Sequence, residues 1–324
     1  MRDTPDPAAA TEPAELARVA PAQGAIEQMV PPAERAGRAG AVCGLNDGVD
    51  ATAVDAPSAS QKASHVVRQA QLGLQQAFDA LRARAEIPAQ AAGWWLRVLL
   101  AREGAADASS SPACAAGSDC GAAPAVDALA QLAQSSADAW VQQIAQRACD
   151  GATPMPALCA SLGARRWSTH EPDNAAAWLE LAARDAQAID EALFRAGKAS
   201  RFDARRGRLT AWVLQATPEQ LPALQRYAAW QRSDELERAA DARALAAAAR
   251  PCSESARRDS NRDQLCDGAL RWLAAETRAP SAAETPLAAR ALDCGTIERQ
   301  WREAREGAQR GARIATSAAP TRRP

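Results

Sequence analysis

Lysine is almost absent from this chain. Only Lys62 and Lys198 occur in 324 residues, against 36 arginines. Histidine is equally scarce at two, and the nine tryptophans leave room for only three phenylalanines and one tyrosine. Each shortage excludes something. Two histidines, with no Cys-x-x-Cys pair among eight cysteines, leave a zinc centre without ligands at workable spacing. Too few β-branched and aromatic residues alternate along the chain to build strands. No apolar run approaches the roughly eighteen residues that a membrane span needs. The charged, proline-containing start, Met1-Arg2-Asp3-Thr4-Pro5, has no apolar core of a signal peptide. Net charge is −1, so no overall field draws nucleic acid or an anionic membrane. Dinucleotide, P-loop, nucleophile-elbow and His-Glu-x-x-His motifs are all missing; neither a cofactor nor a metal is expected.

What the chain has instead is alanine, 86 residues of it. Alanine is the best intrinsic helix former, and the expected fold is all-α. Residues 1–60, rich in Ala, Pro, Gly, Asp and Glu without an apolar stripe, read as a disordered leader or linker. A helical domain is expected over 61–312, with a candidate sub-boundary at the 104–124 loop, and a frayed tail over 313–324. Apolar spacing places helices at Lys62–Glu86, Ala89–Glu103, about 125–134 and 136–149. Thr153-Pro154 reads as a cap opening a helix through Leu158, Leu162 and Trp167. Further helices follow through Trp178, through Ile189 to Phe194, and from Arg205 to Ala216. Thr217-Pro218-Glu219-Gln220 reads as a capping box starting a helix towards Leu245. Pro251 breaks that helix, and two more span about 254–276 and 282–312, the second from a capping box at Ser281–Glu284.

Tryptophans recur about once per helix, within similar pieces such as Ala139-Trp140-Val141, Ala177-Trp178-Leu179 and Ala211-Trp212-Val213. Their spacing has no fixed period, so any repeat is degenerate. The clearest joint runs from Arg166-Trp167 through Pro172-Asp173-Asn174 to Trp178-Leu179. This joint resembles the tetratricopeptide family, in which a proline closes the second helix of a unit and a tryptophan follows six residues later. Pro172 and Trp178 match that spacing, Leu181-Ala182 stand for the family's Leu-Gly step, and Ala160 for its small residue. Trp167 and Asp185 depart from it, standing where the family has Ala and an aromatic. The likeness covers about 35 of 324 residues. It implies a right-handed array of about ten helices in antiparallel pairs, a TPR-like α-solenoid, and a protein-binding role.

Three cysteine pairs lie at loop-closing distances in sequence: Cys114 with Cys120, Cys149 with Cys159, and Cys252 with Cys266. They fit disulfides in an oxidising, periplasmic or other extracytoplasmic compartment, and the pairing also resembles disulfide-stapled Sel1-like repeat proteins. Absence of a leader pulls the other way, towards a cytoplasmic protein with buried or oxidant-sensing thiols.

Candidate partner-binding residues are His170, in a turn, and the basic cluster Arg201, Arg205, Arg206 and Arg208, with Arg195 and Lys198 nearby and only Asp203 to offset it. No catalytic residue is assigned. Glu171, Asp173, Asp185, Asp190 and Glu191 could pair for glycosidic chemistry, although their positions also suit capping and solvation. Tryptophans at one per helix suit a core or a sugar- or peptide-binding groove. The leading expectation is a non-enzymatic, exported helical-repeat scaffold binding a protein or peptide. The alternative is an envelope glycan-active enzyme on an α/α superhelix. Non-reducing peptide mapping of protein from its native host is expected to find Cys149–Cys159 and Cys252–Cys266 linked. Recovering these cysteines as free thiols would instead place the chain in a reducing compartment.

Overall fold

The computed structural model describes residues 59–107, 122–150, 152, 156–163, 165–277 and 294–317. These all belong to one unit of the chain. The all-α expectation holds: the described residues form helices and no strand, with one isolated bridge pairing Asn174 and Arg201. The helices are α1 (Ala59–Arg82), α2 (Ile87–Asp107), α3 (Ala123–Ser135), α4 (Ala139–Cys149), α5 (Ala157–Leu162), α6 (Arg166–His170), α7 (Ala175–Arg184), α8 (Ile189–Lys198), α9 (Arg208–Ala216), α10 (Ala223–Ala249), α11 (Ser260–Thr277) and α12 (Cys294–Ser317). Two short 3₁₀ turns lie between α10 and α11.

Several boundaries differ from expectation for local reasons. α2 begins at Ile87 rather than Ala89, because Pro88 fits its first turn, where a missing N–H costs nothing. The helix expected through Trp167 is two helices, because Gly163 adopts φ +64° after Leu162 and ends α5. Thr217 does not start α10. It follows the end of α9 and turns its hydroxyl back onto the Val213 carbonyl, 2.7 Å away. Pro222 disfavours helix at Leu221, so α10 begins at Ala223. α12 continues through Ser317, into the expected tail. Thr153-Pro154, Ser281–Glu284 and the leader up to residue 58 lie outside the described residues.

Helices adjacent in sequence pack on one another at α1/α2, α2/α3, α3/α4 and α7/α8. A linear stack would make only such neighbour contacts. Here α10 also lies along α1 and touches α2, α7, α9 and α12. Burial explains why α10 lacks a single apolar stripe: Leu224, Tyr227, Leu236, Ala240 and Ala248 meet different neighbours. One core joins α2, α3 and α4 through Leu96, Val98, Leu129, Trp140 and Ile144. A second joins α7, α8 and α11 through Leu179, Leu181, Leu193, Cys266 and Leu273. α10 supplies Leu236 and Ala240 to the first and Ala248 to the second.

Two of the three expected cysteine pairs meet. Cys149 and Cys159 join the end of α4 to α5, and Cys252 and Cys266 join the turn after α10 to α11, with Cα separations of 5.6 and 5.5 Å. Loops of this size contribute about 2–3 kcal/mol in the chain-entropy model. Cys114 and Cys120, the third expected pair, both fall between α2 and α3, outside the described residues. Capping is partly tertiary. Gly207, at φ +74°, precedes α9 and has no side chain to cap it. Glu237 of α10 does so instead, accepting from Leu209 N, Thr210 N and Thr210 Oγ1 at 2.8–3.0 Å. Burial pushes the Glu237 carboxyl up despite those three donors.

The α1–α10 contact depends on Gly73. A methyl group there would lie 2.6 Å from the Gln225 carbonyl oxygen and 2.8 Å from the Ala229 side chain. Gly73→Ala is expected to lower the free energy of unfolding in urea by about 1–3 kcal/mol. Gly104→Ala, with nothing within 4 Å, should leave it unchanged or raise it by about 0.5–1 kcal/mol. Equal effects at the two positions would contradict the close approach.

Candidate functional site

The loop after α8 runs beside the turn between α6 and α7, and this places the basic cluster. Ala175 N donates to Arg201 O at 2.9 Å, while Ser200 N and Arg201 N donate to Asp173 O. Glu171, almost wholly buried, sits at the centre. Its carboxylate accepts from Trp167 Nε1 at 2.8 Å, Asn174 Nδ2 at 3.2 Å, Arg201 Nη2 at 2.9 Å and Arg205 Nη2. Burial would push Glu171 up; the donors from Trp167 and Arg201 and the charge of Arg205 outweigh it and hold the carboxyl low. Arg201 also pairs with Asp173 at 2.9 Å and Arg208 with Asp138 at 3.0 Å. Arg201, Arg205 and Arg208 are therefore neutralised within the chain. Arg206 is exposed and its charge acts on Asp241. His170 is exposed at the end of α6.

The carboxylates singled out in the sequence are separately engaged as well. Asp190 pairs with Arg262 and Glu191 with Arg165, each at 2.7 Å. Asp185 accepts from Gln187 N at 3.0 Å. Tryptophans mostly pack inward: Trp140 and Trp167 are buried, and Trp178 donates Nε1 to the Pro172 carbonyl at 2.8 Å, closing the turn that the proline opens.

A cleft of about 750 Å³ lies elsewhere, between α2, the end of α4, α5, α7 and α10. Its walls carry five arginines, Arg102, Arg147, Arg184, Arg243 and Arg250, and two carboxylates, Asp150 and Glu180. The Cys149–Cys159 pair forms part of one wall. Beneath the cleft runs a buried ion network. Arg147 of α4 reaches Glu180 of α7 at 2.6 Å and Asp241 of α10 at 2.7 Å. Arg184 binds Glu180 and Asp150, each at 2.7 Å. Arg102 donates to the carbonyls of Arg147, Ala148 and Asp150 at 3.1, 2.6 and 2.7 Å, on the C-terminal end of α4, where a cation is favoured.

Burial alone would raise Glu180, but Arg147 and Arg184 outweigh it and hold its carboxyl at about 2. For Asp241 burial wins over Arg147 and the carboxyl is pushed up. The cleft arginines were not read from the sequence as a site. The signals were present: Glu180 interrupts the apolar run Ala175–Ala182, and Arg147 interrupts the buried helix α4. A lone charge within a buried stretch needs a partner.

Among the described residues, no group of His, Cys, Asp and Glu could hold a metal ion, and no helix is long and apolar enough to cross a membrane. Compared with known families, curated proteins and solved structures, the chain matches none.

Glu180 contributes stability above its ordinary value of 4.5 and loses that contribution as pH falls through about 2. Asp241 and Glu237, with raised values, run in the opposite sense: what they contribute is present at low pH and lost as pH rises through their folded values. Glu180→Gln leaves two buried guanidiniums short of a carboxylate and should cost about 3–5 kcal/mol at pH 7. Urea unfolding of wild type and variant should show that difference shrinking below about pH 4.5; a constant difference would show that the Glu180 charge is not what matters.

Proposed function

We propose that this chain is a non-enzymatic helical scaffold that seats a segment of a protein or peptide partner in the cleft between α2, α4, α7 and α10. The observation carrying the reading is the cleft's lining. Five arginines face two carboxylates, and both carboxylates are already engaged by Arg147 and Arg184. Cationic excess on a fixed framework recognises a partner without needing a reacting group. The tetratricopeptide-like turn at Pro172 supports the same class of role. The Cys149–Cys159 and Cys252–Cys266 pairs support export to an oxidising compartment.

Walls of this kind suit binding because they move little. α4 and α5 are joined by the Cys149–Cys159 pair, α4 and α7 by Arg147–Glu180, and α4 and α10 by Arg147–Asp241. A preorganised groove loses less entropy on binding than one that must order first.

Filling the cleft tests the reading. Ala244 lines it from α10 and is partly open to solvent. Random-peptide display against wild type should enrich a peptide set that Ala244→Trp, with unchanged helical content and thermal midpoint, no longer captures. Equal enrichment by both proteins, or none by wild type, would remove the cleft as the binding site.

A further inference from the structure

The geometry points to the chemistry of the bound segment: we propose that it is an extended acidic peptide whose carboxylates are held at two points of the cleft, by Arg102 with Arg243 and by Arg250. This inference rests on the scaffold reading above and deepens it.

Three observations carry it. First, the cations are unevenly matched. Arg243 and Arg250 are exposed on the cleft wall and have no acceptor among the described residues. Arg102 is hydrogen-bonded to neutral carbonyls and lies over the Trp95 ring, 6.0 Å from its centroid, so it is oriented without a hydrogen-bonded carboxylate of its own. Arg184, although paired through Nε and Nη2, keeps an Nη1 donor shielded from solvent without an acceptor.

Second, like charges face one another. Burial and then the charge of Arg243 disfavour the protonated form of Arg102. Two guanidiniums brought together without a carboxylate shared between them are relieved by a bound anion. Asp150 offsets part of this repulsion, but it is already paired with Arg184, and Glu180 with Arg147 and Arg184.

Third, the spacing suits a chain better than a single small anion. Arg243 lies on α10 and Arg250, seven residues on, caps its C-terminal end, about 10 Å further along the helix axis. Between them Ala244 and Ala247 line the cleft, with Ala240 before Arg243, so this wall carries only small side chains where a peptide backbone would lie. An extended peptide rises about 3.3 Å per residue and turns every second side chain to one face, so acidic side chains two or four residues apart, about 7 or 13 Å, bracket that distance within the reach of the arginine side chains. One phosphate group does not reach both ends. Arginine's planar fork suits carboxylates in two-point pairing.

Fluorescence polarisation with a labelled, acetylated and amidated hexaglutamate peptide tests this, with hexaglutamine as its neutral counterpart. Hexaglutamate should bind the full chain, weakening as salt rises from about 0.05 to about 0.5 M, and hexaglutamine should not. Arg243→Ala and Arg250→Ala should each weaken binding about tenfold, with Arg243→Lys retaining part of it. Arg299→Ala, an exposed arginine of α12, should leave it unchanged. Equal binding by the Arg243 and Arg250 variants would overturn the proposal, as would absence of hexaglutamate binding. Competition by inorganic phosphate at concentrations similar to hexaglutamate would assign the cleft to a small free anion instead, and tighter binding of hexathymidylate would assign it to nucleic acid. Display selections keep the two readings apart. Neutral peptides enriched by wild type and lost in Ala244→Trp would leave the scaffold standing and sink the acidic ligand, whereas no enrichment at all would sink both.

Discussion

The Arg147 guanidinium, held between Glu180 and Asp241, fixes how three helices meet. Taking such charges out of water costs several kcal/mol each, and only close, well-directed partners offset that cost. The partners come from α4, α7 and α10, so the network closes in one register only. Alanine-rich faces are poor at choosing a register for themselves. Their side chains are short, their contacts non-directional, and a helix of Ala240, Ala244 and Ala248 can slide with little change in buried area. Apolar burial drives the collapse, and the ion network decides where it stops.

This division of labour gives the arginine bias a structural use. A lysine is a point charge with a strong hydration shell, whereas the planar guanidinium donates in several directions and tolerates burial. Arg147 serves two carboxylates, Arg184 two, and Arg201 three. The same group also stacks over aromatic faces, as Arg82 does over Trp94 and Arg226 over Trp301, each with 4.4 Å to the ring centroid. Scarce lysine and frequent tryptophan therefore belong to one pattern, in which arginine is both ion-pair partner and packing surface.

Local features were legible in the sequence where the cause was local. Alanine content and apolar spacing gave the all-helical class, the Pro172–Trp178 spacing gave a closed turn, and cysteines 10 and 14 residues apart met as paired. The Thr217 box misled because its signature looks identical whether a helix starts at once or Pro222 delays it. The ion pairs of the cluster around Arg205 were not legible, for a different reason. Its neutralising partner, Glu171, lies on another element, and the loop that joins them is set by backbone bonds between Asp173 and Arg201 that no one-dimensional pattern records. The cleft was invisible for the same reason. Its arginines come from α2, α4, α7 and α10, and only the three-dimensional return of α10 brings them together.

That return has a consequence for synthesis. The buried stripe of α1, with Val66, Ala70 and Leu74, meets its largest neighbour, α10, near Gln225 and Ala229. On the ribosome, at about 5–20 residues per second, the stripe waits roughly ten to thirty seconds for that partner to be made. Throughout that interval it is an amphipathic surface covered in part by α2, and the rest is open to whatever chaperone attends the nascent chain.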